Sequence, residues 1–300
     1  MAETSSSRTA MVTSLMRALH TRCDPSPLLN DSWGDRLIPN VERDAMSQRI
    51  LARLDSDARV RALRKPNSFL DDFLLNNPAY PGVVIRSRYA EDALREATSR
   101  GVRQYVLIGA GFDSFALRRP AFAGALEIFE IDHPATQAMK RQRILECGIS
   151  LPPSVHFIAA DLARETVATA LGRSSFRTDR PAFFSWLGVA VYLTREANLA
   201  TMRAVASCGC PGSELVFTYV DQIEFTPGRS QSPHNTNARA VAMTGEPFVS
   251  GFDPVEIAKE LDSVGLELVE DLDGPEMSSR YATVLQPPAT LHIARARVKR

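Results

Sequence analysis

The feature that most constrains this chain is an alternation of short apolar runs with segments of helical periodicity. The apolar runs are rich in β-branched and aromatic residues and almost continuously hydrophobic, which is typical of strands covered on both faces. Repeated strand–helix units of this kind predict an α/β fold with a parallel sheet between two layers of helices. The predicted strands span 104–108, 126–131, 155–159, 182–187 and 214–220, and the main helices between them span 135–147, 163–171 and 195–207.

The carboxyl-terminal part of the chain follows a different pattern. Residues 253–264 are predicted as a helix and residues 266–272 as a sixth strand. Residues 281–285 and 291–298 are two further short runs, which we expect to pair as antiparallel edge strands. A polar insert at 221–252 contains several proline and glycine residues. Loops of this length usually form lids or binding segments, and we expect the same here.

The first 80 residues are predicted to form a helical cap that precedes a sheet domain at 81–300. Helical spacing of apolar residues covers 11–20, 43–63 and 68–75, and turn residues separate these segments. A further helix over 86–99 leads into the first strand. We expect the cap to cover the ligand site of the sheet domain and to shape its wall.

Composition excludes several classes of function. Hydrophobic residues make up 44% and charged residues 23% of the chain, which rules out a mostly disordered protein. The 35 basic and 35 acidic side chains cancel, so no net charge attracts nucleic acid or an anionic membrane. Four cysteines are too few for a disulfide framework, and no signal peptide or membrane span is evident. We therefore expect a cytoplasmic protein with no nucleic-acid or membrane partner and no metal.

Polar residues at the ends of the first three strands predict a nucleoside-binding site. The first strand ends in Gly109-Ala110-Gly111, where glycines let the backbone turn tightly and approach a ligand. Asp132, after the second strand, can accept hydrogen bonds from ribose hydroxyls. Asp161, after the third strand, can accept one from the amino group of adenine. Because these strand ends meet at one edge of a parallel sheet, they predict a site for an adenosine-containing cofactor.

Simpler interpretations of the same residues stay open. Gly109 and Gly111 would also serve a tight turn with no ligand, and both aspartates would also serve as helix N-caps. Glu130 has the same strand parity as Asp132 and is the alternative ribose ligand. Ser114 stands where the dinucleotide fingerprint has its third glycine, which argues against a nicotinamide cofactor.

Five short motifs follow one another along the middle of the chain. They are IRSRYAED at 85–92, IGAGFDS at 108–114 with Arg118, FEIDHP at 129–134, ADL at 160–162 and VAVYLT at 189–194. With these motifs the chain resembles the S-adenosylmethionine-dependent methyltransferases related to leucine carboxyl methyltransferase, and more closely their bacterial branch of small-molecule O-methyltransferases. The resemblance implies a class I methyltransferase fold. That fold has a Rossmann-like seven-stranded sheet, mostly parallel with an antiparallel strand near the C-terminus.

The resemblance also implies how S-adenosyl-L-methionine is bound. Arg86 is expected to hold the carboxylate of the methionine moiety. Most methyltransferases place an acid two residues before the first glycine, but Leu107 stands here, and an arginine supplies a bidentate clamp instead. Many relatives carry a glutamate where Leu187 stands, so one contact near the methionine end is missing. The predicted cofactor-binding set is Arg86, Gly109, Ala110, Gly111, Asp132, His133, Asp161, Leu162 and Leu187.

The reaction that the resemblance implies is methyl transfer to a carboxylate or hydroxyl of a small molecule, such as a secondary metabolite. A carboxylate acceptor needs only groups that hold it, whereas a hydroxyl benefits from a general base. The candidate side chains are Tyr192, Tyr219, Asp221 and His234. The alternatives are methylation of a protein C-terminal carboxylate, a nicotinamide-dependent oxidoreductase and a non-catalytic cofactor-binding protein. A protein substrate predicts an open basic groove, whereas a small molecule predicts an enclosed apolar pocket.

Overall fold

The computed structural model describes residues 7–64, 68–226 and 248–299, which form one mixed sheet with helices on both faces. The strands are β1 Gln104–Ile108, β2 Glu127–Asp132, β3 Val155–Ala159, β4 Ala182–Trp186, β5 Glu214–Val220, β6 Leu266–Leu272 and β7 Leu291–Val298. The seven strands lie in the order β3-β2-β1-β4-β5-β7-β6. The first five are parallel, and β7 is antiparallel to both β5 and β6. This topology confirms the predicted fold class.

The described helices either flank the sheet or build the segment before it. They are α1 Arg8–Cys23, α2 Trp33–Leu37, α3 Asn40–Leu51, α4 Ser56–Leu63, α5 Phe69–Leu75, α6 Tyr80–Ser99, α7 Phe115–Arg118, α8 Pro134–Glu146, α9 Val167–Leu171, α10 Arg195–Cys208, α11 Ile257–Ser263 and α12 Gly274–Arg280. Within the described ranges, none of the helices combines the length and the hydrophobicity that crossing a membrane requires.

Alternating side chains of the central strands build two apolar layers, one on each face of the sheet. On β1, Val106 and Ile108 belong to one layer, while Tyr105 and Leu107 belong to the other. Every residue of β1 is buried, because parallel strands in such sheets are covered on both faces. This arrangement explains why the strand sequences are apolar without a polar alternation.

Two predictions about the carboxyl-terminal strands are wrong. Residues 281–285 form a turn after α12 instead of a strand, and Ala282 there has a φ of 47°. The turn follows a helix because Asp273 and Glu276 form a reciprocal capping box at the start of α12. In addition, β7 is an inner strand, with β5 on one side and β6 on the other, so β6 forms the edge.

The helical cap is present, but two of its predicted helix boundaries are wrong. The sequence predicts one helix over 43–63, whereas the Asp55 carboxylate accepts a hydrogen bond from the Ala58 N–H at 2.7 Å and starts α4 separately. Helix α6 begins at Tyr80 and not at residue 86, because Pro81 lies in its first turn, where a missing N–H costs nothing. The predicted division between 80 and 81 therefore falls at the start of α6, and its status as a domain boundary stays a prediction.

Helix α1 attaches the cap to the loop that follows β1. The Arg17 guanidinium donates from Nη2 to the Phe112 carbonyl at 2.7 Å, and the Ser14 hydroxyl donates to the same carbonyl at 3.3 Å. A Cβ atom placed on Gly111 would lie 2.9 Å from the Cβ of Ala10. Helix α1 thus lies directly over the glycine loop.

Candidate active site

A cavity of about 330 Å³ opens at the edge of the sheet where the parallel strands end. Its walls come from the ends of β1, β2, β4 and β5, from α1 and α6 of the first hundred residues, and from the start of β7. Doubly wound sheets bind their ligands at this edge. The cavity is therefore the candidate active site.

The loop after β1 brings the backbone close to the cavity. Gly109 has a φ of 67°, in the left-handed region that residues other than glycine rarely adopt. A Cβ atom at this position would also lie only 2.6 Å from a methyl carbon of Val189. The N–H groups of Gly109 and Ala110 both donate to the Ile131 carbonyl, at 2.9 and 3.1 Å. Gly109, Ala110 and Gly111 all line the cavity, which leaves backbone and not side chains facing a ligand at this point.

Asp132 is the carboxylate that the second strand presents to the cavity. It lines the cavity, and its carboxylate accepts hydrogen bonds from the N–H groups of Gly111 and of His133, the latter at 2.6 Å. Burial raises the pKa of the Asp132 carboxyl, and those two N–H groups oppose the rise. The alternative ribose ligand, Glu130, is buried in an ion pair with Lys140 at 2.5 Å and does not line the cavity. Of the two acids, Asp132 alone has access to a ligand there.

Arg86, on α6, places a guanidinium in the cavity wall. A Cβ atom on Gly188 would lie 2.6 Å from each of its Nη atoms, so the guanidinium rests directly on the backbone that follows β4. Among the described residues, Arg86 has neither a hydrogen-bond acceptor nor a carboxylate partner. Burial lowers the pKa of Arg86 to about 10, and the nearby charge of Arg17 acts in the same direction. A half-buried guanidinium that has no partner among the described residues is well suited to bind a carboxylate.

Arg17, the other cationic side chain that lines the described part of the cavity, is already paired. Its Nε lies 2.8 Å from Oδ2 of Asp31, and this carboxylate is fully buried. Burial alone would raise the pKa of the Asp31 carboxyl, but Arg17 and Arg118 hold it below its ordinary value. Arg17 therefore serves to hold the cap in place, whereas Arg86 stays available to a ligand.

Three of the predicted cofactor-binding residues do not line the cavity: His133, Asp161 and Leu162. The Asp161 carboxylate accepts from the Ala163 N–H at 3.0 Å and pairs with Arg164, so it stabilises the turn after β3. His133 is the N-cap of α8, and its Nδ1 accepts from the N–H of Ala135 at 3.3 Å. These residues border the site on the β2–β3 side, and their contact with adenine stays a prediction.

Two leucines stand at positions where acids are expected, and both lie in the cavity wall. Leu107 and Leu187 line the cavity beside Gly109 and Gly188. No carboxylate stands at either position, so this part of the wall is apolar and the Arg86 guanidinium is the charged group close to it.

Of the proposed catalytic tyrosines, Tyr219 is not suited to be a general base. Its hydroxyl donates to Oδ2 of Asp271 at 2.5 Å, and its ring stacks on His292 with 4.8 Å between ring centres. Burial and Asp271 raise its pKa far above the ordinary value, so the phenolate is inaccessible near neutral pH. Tyr192 also lines the cavity and packs edge-on against Phe248, with 5.8 Å between ring centres. It therefore remains placed for contact with an acceptor.

Of the two other catalytic candidates, Asp221 is the one within the described residues. The Asp221 carboxylate accepts from the Ile223 N–H at 2.9 Å, caps a short 3-10 turn at 222–225 and does not line the cavity. His234 lies outside the described residues. The ends of the insert meet, because the Gln222 N–H donates to the Phe252 carbonyl at 2.9 Å.

Sequence reasoning missed three residues of the site: Arg17, Asp31 and Glu224. Arg17 carries a detectable signal, because it interrupts the buried stripe of α1 and a charge on a buried face needs a partner. Asp31 lies in a loop and Glu224 in the insert, where no periodicity indicates which way a side chain points. In the described ranges, no group of three His, Cys, Asp or Glu side chains is arranged to hold a metal ion.

Comparison with known proteins identifies the relatives of this chain. Residues 10–206 match the leucine carboxyl methyltransferase family. A protein of Bacillus subtilis (strain 168), named as a candidate S-adenosyl-L-methionine-dependent methyltransferase, YktD, is 30% identical over 284 residues, or 94% of this chain and 93% of that protein. A candidate methyltransferase of the same description from Mycolicibacterium gilvum (strain PYR-GCK) is 30% identical over 67% of this chain and 62% of its own length.

Solved structures support the fold. A DUF574 family protein from Streptomyces avermitilis MA-4680 superposes with a TM-score of 0.59 at 16% identity and covers 98% of both chains. A candidate methyltransferase from Thermobifida fusca YX superposes with a TM-score of 0.57 at 15% identity, over 100% of this chain and 97% of that one. At these identities the likeness establishes the shared architecture alone.

Proposed function

The chain belongs to the leucine carboxyl methyltransferase family and is an S-adenosyl-L-methionine-dependent methyltransferase, and from this premise we propose that it methylates a carboxylate or hydroxyl oxygen of a small molecule. When bound, S-adenosyl-L-methionine supplies a methyl group that is activated on a sulfonium. The observation that carries the proposed binding mode is the unpaired Arg86 guanidinium over Gly188, in the same cavity as Asp132 and the glycine loop.

Each end of the cofactor has a matching group in this cavity. The Arg86 guanidinium binds the methionine carboxylate with two parallel N–H donors. The backbone at Gly109 lets the methionine moiety pass without meeting a side chain, and Leu187 contributes an apolar wall beside it. The Asp132 carboxylate, already oriented by the Gly111 and His133 N–H groups, accepts the ribose hydroxyls. Toward the adenine we assign Ala110, which lines the cavity, and Asp161 and Leu162, which follow β3 outside its wall.

A small-molecule acceptor is favoured over a protein terminus by the shape and charge of the site. The cavity has more apolar than polar wall, and α1 covers it from the cap side. Such cover excludes water and aligns the reactants, which accounts for much of the rate of a displacement reaction. An open groove with several free basic side chains would favour a protein C-terminus. In the described part of the cavity the cations are Arg86 and the already paired Arg17.

Titration calorimetry with the product cofactor tests the binding mode. We expect Arg86→Ala and Asp132→Ala each to weaken S-adenosylhomocysteine binding by at least roughly tenfold, the size of a lost charge-assisted hydrogen bond. Arg86→Lys keeps the charge but loses the planar fork, so it recovers only part of the affinity. NAD is expected not to bind.

The matched control for the arginine is Arg203→Ala, since Arg203 is exposed on α10 and does not line the cavity. It is expected to keep the affinity of the unmodified protein. Unchanged affinity in a folded Asp132→Ala protein would remove the ribose assignment, and binding of NAD in preference to S-adenosylhomocysteine would overturn the proposed function.

A further inference from the structure

The cavity extends across the sheet well beyond the groups that match the cofactor. Those groups lie at the ends of β1, β2 and β4 and on α6. The rest of the cavity, called here the acceptor end, lies over β5 and the start of β7, with the turn at 190–192 beside it. Its wall includes Val191, Tyr192, Val220, Glu224, Phe248 and Leu291. Because the cofactor groups occupy one end, an acceptor has this other end in which to bind.

The charged side chains of the cavity wall are almost all committed to other groups. Arg17 is paired with Asp31. Asp113 accepts a hydrogen bond from the Phe115 N–H at 2.7 Å. Asp132 accepts two backbone N–H groups and is assigned to the ribose. The two charged wall residues whose side chains have no partner among the described residues are Arg86 and Glu224.

Glu224 lies at the acceptor end of the cavity. It is part of the 3-10 turn at 222–225, which directly follows β5. This turn is held in place because the Asp221 N–H donates to the Thr290 carbonyl at 2.8 Å and the Gln222 N–H donates to the Phe252 carbonyl at 2.9 Å. Arg86, in contrast, rests on Gly188 in the backbone that follows β4. The two charged groups therefore belong to parts of the wall that follow different strands.

The charge of Glu224 discriminates between the two acceptor classes. A carboxylate acceptor would meet a second negative charge there, and no unpaired cation in the described wall is left to offset it once Arg86 binds the cofactor. A neutral hydroxyl instead donates a hydrogen bond to the Glu224 carboxylate. A protonated amine would also be attracted, but it has no lone pair with which to attack a methyl group. The surrounding apolar wall and the Tyr192–Phe248 pair suit an aromatic or otherwise apolar body.

We propose that Glu224 binds the acceptor and accepts its proton, and that the acceptor is a hydroxyl compound, such as a phenol, and not a carboxylate. This inference rests on the proposed function. In the reaction the hydroxyl oxygen forms a bond to the methyl carbon while the bond between that carbon and sulfur breaks, with its electron pair remaining on sulfur. The hydroxyl proton passes to Glu224. The products are a methyl ether, the neutral thioether and a protonated carboxyl group, so atoms and charge balance.

The test uses matched acceptors that differ only in the reacting group: 2-naphthol with 2-naphthoate, and 4-butylphenol with 4-butylbenzoate. Binding of each compound to the protein saturated with S-adenosylhomocysteine is measured by calorimetry. We expect each phenol to bind at least about tenfold more tightly than its carboxylate partner, the scale of one hydrogen bond to a charged group. Glu224→Gln removes the charge and keeps the shape of the side chain. We expect this variant to lower the ratio of phenol affinity to carboxylate affinity by at least tenfold.

Methyl transfer from labelled S-adenosyl-L-methionine to whichever phenol binds provides the second readout. Because a positioned base typically contributes about 10²- to 10⁴-fold, Glu224→Gln is expected to lower kcat by at least about a hundredfold. Glu267→Gln makes the same chemical change at an exposed position on β6 and is expected to alter neither readout.

The outcomes separate this inference from the proposed function. Carboxylates that bind as well as their phenol partners, phenols that do not bind, or a phenol preference that survives Glu224→Gln would each overturn the role of Glu224. S-adenosylhomocysteine affinity is measured first for the unmodified and Glu224→Gln proteins, and we expect equal values. Failure of the unmodified protein to bind S-adenosylhomocysteine would instead contradict the proposed function itself.

Discussion

Among single residues, the site depends on a half-buried guanidinium that rests on a glycine. The Nη atoms of Arg86 occupy the space that a side chain at position 188 would need. Gly188 also has a φ of 69°, which favours glycine. The backbone after β4 therefore both makes room for Arg86 and supports it from one side, leaving its donors to face the cavity.

Gly188→Ala is expected to displace the Arg86 guanidinium and weaken S-adenosylhomocysteine binding by at least about tenfold, as measured by calorimetry. Left-handed backbone costs a non-glycine residue about 1–2 kcal/mol, so the variant also loses some stability. Gly148→Ala is the matched control, because Gly148 has the same φ of 69° but no atom within 4 Å of the added Cβ. Equal cofactor affinities in the two variants would contradict the role given to Gly188.

Single residues also mark where sequence reasoning succeeds and fails. The places of Gly109 and Asp132 in the cavity wall are predictable because the ends of buried strands are recognisable, and that of Arg86 follows from the family resemblance. Tyr219 is less suited to be a base than the sequence indicates, because its position does not reveal that the carboxylate of Asp271, 52 residues away, accepts a hydrogen bond from its hydroxyl. Glu224 has no signal at all, since the direction of a side chain in an irregular segment depends on backbone contacts that are distant in sequence.

At the scale of elements, helix α1 and the glycine loop are joined through a buried ion pair. Asp31 lies 2.8 Å from Arg17 Nε, and Arg17 in turn donates to the Phe112 carbonyl. Because these groups are buried, removal of one charge leaves the other without compensation. The Arg17–Asp31 pair therefore couples the position of helix α1 to that of the glycine loop.

Asp31→Asn is expected to lower the free energy of unfolding by about 3–5 kcal/mol at pH 7, as found when one partner of a buried pair is removed. The pKa of Asp31 is lowered in the folded protein, so its contribution is complete above the ordinary carboxyl pKa and is lost as the pH falls through the folded value. Urea titrations across this range should show the two proteins converging at acid pH. A gap that stays constant at low pH would contradict this account.

Helices and strands differ in how well the sequence marks them. The bounds of β1, β3, β5, β6 and β7 agree with the sequence predictions, because buried apolar runs between turn residues are distinctive. The capping box at Asp273 and Glu276 marks α12 and was available in the sequence. The separation of α3 from α4 is less visible, since it depends on a single capping side chain, Asp55, within a helical pattern.

At the scale of the whole molecule, the last strand completes the sheet from the inside. β7 pairs with β5 along its length and with β6 on its other side, and Ile293, Ala294 and Ala296 are fully buried. Its sequence predicts a strand but not its neighbours, because strand order is decided by packing between distant segments. The start of β7 also reaches the cavity at Leu291, so the chain terminus contributes to both the sheet and the site.

Deletion of residues 291–300 is expected to prevent folding, because it removes the strand between β5 and β6 and exposes both edges. Circular dichroism and size-exclusion chromatography should detect loss of the cooperative transition and aggregation. Deletion of Arg300 alone, beyond the end of β7, should leave the melting temperature unchanged. A folded, monodisperse 1–290 protein would show that β7 is dispensable and would contradict the topology.

The strand ends of this sheet and Arg86 are expected to bind S-adenosyl-L-methionine together, and a crystal structure with S-adenosylhomocysteine would reveal this binding. We expect the methionine carboxylate on the Arg86 guanidinium, the chain of the cofactor passing Gly109, and the ribose hydroxyls within hydrogen-bond distance of Asp132. A cofactor bound elsewhere, or bound here with Arg86 and Asp132 turned away from it, would show that these groups do not form its binding site.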